Sequence, residues 1–461
     1  MPAVSPTPSR QVVAIPSDVH SWIEPWYGAY AILGALASGF AVIAIPVVIS
    51  RAGGGGGQIG AAIAAQNVGV VFAPLWGALA DRTRAYRAIF FAGFILIGLG
   101  FLGFTFLQGW FAWLASAFLI GLGTGASNTV AALFVVEFAP KSQWSSRISW
   151  MQTFNAAGSV FGMAFAGVLS ARLTTLIAAL LVIPALLIGG RGLPVPGGEF
   201  HMPGLRHALE DGELFHLLRH SGPNAVTLVA NVRRPRRKEF ARLAHLATTA
   251  FGLFLVAWFL FSLAVSSFSS LYPVLMEKSF GMDVARASMI MSIATGVSIP
   301  LYNFAGRLSS RHGPTVSLMI GVGCRVLAFG GLAGLAFLQP GWAMLPVVVL
   351  VVIFQGVWPL LSVASNDLAA DLAQIGEGTA MGLFNAVAAL ASACGAVVGG
   401  QIADHFGYPT VCAFAALGAL ASLVCALALR ASPSTSAAAS RQTAQRQADA
   451  HRAGIRASEG S

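Results

Sequence analysis

Gly77-Ala78-Leu79-Ala80-Asp81-Arg82-Thr83-Arg84 closes one apolar stretch of the chain, and Gly306-Arg307-Leu308-Ser309-Ser310-Arg311-His312-Gly313 closes another. Gly77 and Gly306 are 229 residues apart, as are Arg82 and Arg311. Glu137 and Asp367 are 230 apart, and so are the tripeptides Phe154-Asn155-Ala156 and Phe384-Asn385-Ala386. A near-constant offset at four separate landmarks marks a duplicated unit. Two halves of this kind are expected to be related by an axis along a membrane normal.

The rest of the chain says why a membrane is the setting. Of its 461 residues 56% are hydrophobic and only 10% charged, against about a quarter charged in a soluble protein. So little charge cannot cover a water-facing surface, and lipid must cover it instead. About 20 apolar residues span a hydrocarbon core at 1.5 Å per residue. Twelve segments meet this test, near 27–49, 58–80, 87–107, 110–136, 147–170, 173–190, 246–272, 285–306, 314–338, 341–365, 378–402 and 407–430. Backbone facing lipid must satisfy its own hydrogen bonds, so these are helices. The alternating segments of an outer-membrane barrel are absent. The expected fold is therefore all-α and integral to a membrane, with twelve helices in two six-helix pseudo-repeats. The expected divisions are a 1–26 segment, a half over 27–190, a basic loop over 191–245, a half over 246–430 and a disordered tail over 431–461.

Basic residues set the orientation. With both termini in the cytoplasm, 22 of the 27 Lys and Arg fall inside and 4 outside, while Arg325 alone lies within a span. The net charge of +10 is thus a topology signal and not a nucleic-acid surface. Arg233-Arg234-Pro235-Arg236-Arg237-Lys238 reads as an anchor attracted to anionic lipid. The expected setting is the inner membrane, multi-pass and monomeric, with a small-molecule substrate, the bilayer itself and no nucleic acid as partners. The first 25 residues lack the basic start of a signal peptide. Cys324, Cys394, Cys412 and Cys425 sit in apolar runs without metal-ligand spacing and read as inert thiols. No cofactor, metal or catalytic motif is present, and without a G-x-x-x-x-G-K-[ST] segment ATP-driven transport is not expected. Gly53 to Gly57 reads as a flexible connector.

The physics of the opening stretch is readable on its own. Gly77 lets two helices approach closely. Asp81 places a carboxylate where it can sit against the N-terminal end of another helix. Arg82 or Arg84 can reach an acid on a neighbouring helix end, and Glu137, closing the fourth span, is the natural partner. The stretch resembles the signature of the major facilitator superfamily, G-x-L-a-D-r-x-G-r. It departs from that pattern at Arg84, where the family has glycine, and the second copy lacks the Asp. In the fifth span Gly158-Ser159-Val160-Phe161-Gly162, continuing to Gly167, resembles the glycine ladder of the family's drug–proton antiporters. Met163 stands where they carry proline, and plain close packing is the simpler reading.

The resemblance implies a secondary transporter whose first, fourth, seventh and tenth helices line a central cavity. Polar residues at helical spacing on those spans supply candidates: Tyr27, Tyr30 and Ser38; Thr124 and Asn128; Ser262, Ser266, Ser269 and Tyr272; Gln355, Trp358 and Ser362. Tyr30, Ser38, Asn128, Ser262, Ser266, Gln355 and Trp358 are the cavity residues expected. Gly77, Asp81, Arg82, Glu137, Gly306, Arg311 and Asp367 are the gating residues expected. No Asp, Glu or His lies in the middle third of any span, so a mid-membrane carboxylate relay is not on offer. Such a cavity suits a small neutral or amphiphilic organic solute moved by alternating access, with export slightly ahead of uptake. An uptake permease for a small metabolite and a transporter-like receptor or assembly factor stay open as rivals. Arg325, in a span the resemblance makes peripheral, reads as structural or snorkelling before anion binding.

Overall fold

The computed structural model describes residues 23–83, 85–138, 144–193, 249–372 and 377–431. These contain helices and no strand. The side chains of Asp81, Arg82 and Glu137, all of Arg84, the basic run from Arg233 to Lys238 and the tail lie outside the described residues.

Twelve long helices run in chain order among the described residues. The first half contains α1 (Tyr27–Arg51), α2 (Gly56–Val71 continuing as Ala73–Thr83), α3 (Tyr86–Phe106), α4 (Trp110–Phe138), α5 (Trp144–Val168) and α6 (Ala171–Gly192). The second contains α7 (Ala250–Ser269), α8 (Val284–His312), α9 (Pro314–Leu338), α10 (Met344–Asp371), α11 (Glu377–Phe406) and α12 (Tyr408–Ala431). A short helix, Tyr272–Phe280, follows α7. Eleven of the twelve are long and apolar enough to cross a membrane. The exception is α5, which is long enough at 25 residues but carries Gln152, Thr153 and Asn155 on a face turned to the interior cavity.

Large apolar side chains point outward all round, among them Leu327, Phe161, Leu345 and Val424. Water would penalise such a surface and lipid does not. With twelve crossings, the start of α1 and the end of α12 share one face, called here the near face. The 51–56, 106–110 and 406–408 turns lie on the far face.

Small residues set how closely the helices pack. A Cβ on Gly158 would collide with the Ala31 carbonyl and one on Gly162 with that of Ala35, so the α5 ladder is the bed on which α1 lies. Gly395 and Gly399 serve α7 in the same way, against Leu263 and Ser267. Where α1 crosses α5 it makes a π-helical turn, Ala35–Phe40, and such turns concentrate at functional sites. The two halves meet along α2 with α11 and along α5 with α8.

Arg325 lies in the middle of α9 and is only 1% exposed. Its guanidinium sits over the Phe354 ring, 3.7 Å from the centroid, and does not reach an interface. Burial inside the second half therefore rules out snorkelling. Of the cysteines, Cys412 is buried, the other three are partly exposed, and all four are free thiols.

Candidate functional site

A cavity of about 950 Å³ lies between the halves. α5 lines it from Ile148 to Met163 and α8 from Thr295 to Tyr302. At the far-face ends of these stretches the two helices touch, and beyond them Gly167 packs directly against the buried Ser288. Ser292 Oγ donates to the Val160 carbonyl at 2.8 Å, and Thr295 Oγ1 approaches the Met163 sulfur at 3.7 Å. The cavity is thus sealed toward the far face and extends toward the near one.

Local breaks in helical geometry shape its walls. Ser38 enters from the π-helical turn of α1. Pro300 of α8 lacks an N–H, so the carbonyl one turn earlier, on Gly296, loses its helical partner at the cavity wall. α10 is interrupted between Gly356 and Trp358, with Pro359 opening the second segment. Gln355 and Trp358 flank that interruption and both face the cavity. The Tyr302 hydroxyl comes close to Trp358 and Ser362. The first-half wall carries the amides of Gln152 and Asn155, and the second-half wall the aromatic rings of Tyr302 and Trp358. No charged side chain lines the cavity among the described residues.

The chemistry available is hydrogen bonding by amides and hydroxyls, with ring stacking on one side. Among the described residues no cluster of His, Cys, Asp or Glu could hold a metal. The model for the Major Facilitator Superfamily matches residues 27–377. The chain belongs to that superfamily. No curated protein matches it at the level of sequence. Among solved structures it resembles the nucleoside transporter NupG at a TM-score of 0.62 and 15% identity, covering 88% of this chain and 98% of that one. It resembles a D-xylose-proton symporter at 0.64 and 13%, covering 86% and 96%. A variant of the peptide transporter POT in complex with alafosfalin gives 0.62 and 17%, covering 88% and 93%. Likeness at this level of identity fixes the fold alone: twelve helices in two halves.

Within this superfamily member the expected cavity residues divide. Ser38, Gln355 and Trp358 line the cavity. Tyr30 is buried and donates to Asn128 Oδ1 at 2.9 Å, with Gln152 also close to its hydroxyl. Tyr30 therefore backs the wall through Gln152, while Asn128 is exposed on α4. Ser262 and Ser266 are buried in α7, and Ser266 Oγ donates to the Ser392 carbonyl of α11 at 2.6 Å, a packing bond. Sequence reasoning missed the contributions of α5 and α8, which supply most of the lining. The signal was present in Gln152, Thr153, Asn155 and Ser159, polar residues at helical spacing in the least apolar span.

The expected gating residues are placed as follows. A Cβ at Gly77 would make ordinary contact with Thr129 of α4 at 3.4 Å, and one at Gly306 would meet nothing within 4 Å. Asp367 accepts a hydrogen bond from Ser309 Oγ at 2.9 Å and does not pair with Arg311, which is exposed. The proposed cluster of Asp81, Arg82 and Glu137 falls on side chains outside the described ones. At the same near face Arg147 pairs with Glu24 at 2.6 Å, tying the start of α5 to the segment before α1.

Proposed function

We propose that this superfamily member moves a small, uncharged, hydrogen-bonding or amphiphilic organic solute by alternating access. The observation carrying this reading is the cavity between the halves, lined by amides, hydroxyls and aromatic rings without a charged side chain among the described residues. An ion bound there would lose hydration without a counter-charge, and that costs several kcal/mol. A neutral solute exchanges its hydrogen bonds with water for equivalents on Gln152, Asn155 and Gln355 at little net cost. Sealing at the far face and extension toward the near one support a rocking mechanism, in which this is one of two end states.

The inside–outside count of Lys and Arg supports an inner-membrane location with both termini cytoplasmic, which makes the near face the cytoplasmic one. Reporter fusions at Gly55 and Arg236 test this, and finding both on one side would overturn it. Domain limits of 27–190 and 246–430 follow from the repeat. Gating by Gly77, Asp81, Arg82, Glu137, Gly306, Arg311 and Asp367 at the cytoplasmic face follows from the family signature. The resemblance of the α5 glycines to the ladder of drug–proton antiporters favours export slightly over uptake, and a monomer suffices for the mechanism. The test needs no prior guess of substrate. Purified protein is screened by thermal shift against diverse solutes, since a ligand stabilises by RT ln(1 + [L]/Kd). Hits then go to flux in proteoliposomes. Hits that are all charged would overturn the neutral-solute reading.

A further inference from the structure

The glycine run Gly53–Gly57 does more than connect two helices. α2 begins at Gly56, with Gly55 extended at its N-cap. The backbone N–H groups of Gly56 and Gly57 donate to Asp404 Oδ1 and Oδ2 at 2.5 and 2.7 Å. Asp404 belongs to the last turn of α11, in the other half of the protein. The first N–H groups of a helix have no partner within it, and the helix dipole adds positive potential at that end. Asp404 thus satisfies two such donors with both oxygens of one carboxylate, and no basic side chain pairs with it among the described residues.

The glycines are what let the carboxylate in. A Cβ would lie 2.8 Å from Asp404 Oδ1 at Gly55, 2.8 Å from Ala403 Cβ at Gly56 and 2.8 Å from Gln401 Nε2 at Gly57. One turn deeper, a Cβ on Gly60 would collide with the Ala396 carbonyl, so the same seam stays closed by backbone contact. A second inter-half contact lies nearby, Arg51 with Glu277 at 2.9 Å, with side chains 60% and 31% exposed. An exposed ion pair contributes little, whereas hydrogen bonds to an ionised carboxylate are about twice as strong as neutral ones.

We infer that Asp404 is a gating residue of the far face, a latch whose carboxylate holds the N-terminus of α2 when that face is closed. The inference rests on the alternating-access reading. Both oxygens and both N–H groups return to water when the halves rock apart, so the bond strengthens one end state and not the other. A contact made in one state only biases the equilibrium between the two. Its removal shifts access from the near face to the far face and leaves the cavity unchanged.

The test uses single reporter cysteines in the full chain with Cys324, Cys394, Cys412 and Cys425 replaced by Ser. Gln152→Cys reports the near-face cavity. Ser288→Cys reports the far face, where Ser288 is fully buried against Gly167. A membrane-impermeant maleimide is applied from each side. Alternation is tested first: Ser288→Cys, its label located by peptide mass spectrometry, should label slowly and stop labelling when Arg51→Cys and Glu277→Cys are joined by a short bis-methanethiosulfonate cross-linker. Labelling indifferent to the cross-link sinks the alternating-access reading, whatever Asp404 does. Asp404→Asn should then raise Ser288→Cys labelling on the order of tenfold and lower Gln152→Cys labelling by the share of molecules that leave the near-facing state. Gly57→Ala, which crowds the latch and keeps the carboxylate, should move both reporters in the same directions. Reporters that stay at wild-type rates, or that both rise as in a loosened protein, overturn the latch.

Discussion

The guanidinium of Arg325 lies 3.7 Å from the centre of the Phe354 ring and finds no acid to pair with among the described residues. Its Nε and Nη1 make no hydrogen bond. A cation over an aromatic face gains about 2 kcal/mol when desolvated, yet an isolated buried charge costs several kcal/mol after relaxation. The cost exceeds the gain. Arg325→Met keeps length and packing without the charge, and the variant should unfold at a temperature a few degrees above wild type. Arg325→Lys keeps the charge and gives up the planar stack, so it should unfold below wild type. A lower midpoint for Arg325→Met, measured by thermal unfolding in detergent, would show that the charge holds a partner.

The cavity assignments separate residues that touch solute from residues that hold helices together. Trp358→Ala removes the largest stacking surface of the second-half wall and should weaken binding of any screened ligand about tenfold, a loss of about 1.4 kcal/mol. Ser266→Ala loses its bond to the Ser392 carbonyl and should lower stability by about 1 kcal/mol with affinity unchanged. Equal effects of the two variants on ligand affinity, read by titration calorimetry, would contradict this division.

Close packing of α1 on α5 makes a sharp demand on one atom. A Cβ at Gly34 would run into the Asn155 carbonyl and push the two helices apart, which for overpacked sites costs on the order of 1–3 kcal/mol. Gly330 of α9 faces open space, and alanine there improves helix propensity. Gly34→Ala should therefore lower the unfolding temperature, and Gly330→Ala should leave it equal or higher. The reverse order would mean that α1 and α5 pack differently.

What the sequence made legible depended on distance along the chain. Twelve helices follow from runs of apolar residues, and the duplication follows from Phe154-Asn155-Ala156 recurring at Phe384-Asn385-Ala386, because both signals are local or strictly periodic. The cavity was harder. Ser38, Gln355 and Trp358 were identified by helical spacing on helices that the family resemblance places inside. Gln152 and Asn155 carry the same spacing, but nothing within α5 says which neighbour its polar face meets. Ser266 has the pattern of a cavity residue and instead bonds to a backbone carbonyl 126 residues away. The glycine run Gly53–Gly57 reads as a connector until Asp404, 347 residues from Gly57, is set beside it. Contacts of that kind are properties of the assembled halves, and no window of sequence contains them.

The last prediction concerns what drives transport. A proton-driven carrier needs a titratable group that binds and releases its proton as access alternates. The cavity offers none among its described lining residues, which leaves Asp367 as the acid nearest the pathway on α10. Pairing with Arg311 would have fixed Asp367 as a charged structural group, but its partner is the hydroxyl of Ser309 at 2.9 Å. A hydroxyl can donate to a carboxylate or accept from a carboxylic acid, so this contact survives either protonation state and gives no means of tying proton binding to one end state. Ser309 and Asp367 both belong to the second half, so the contact also persists when the halves rock, and a group held alike in both end states shifts no equilibrium. Flux should therefore follow the solute gradient alone. In proteoliposomes, an imposed pH gradient should leave the accumulation of a neutral substrate at its equilibrium level, and Asp367→Asn should change the rate of equilibration without changing the level reached. Accumulation above equilibrium under the gradient, lost in Asp367→Asn and kept in Ser309→Ala, would overturn the uncoupled mechanism and make Asp367 the coupling carboxylate.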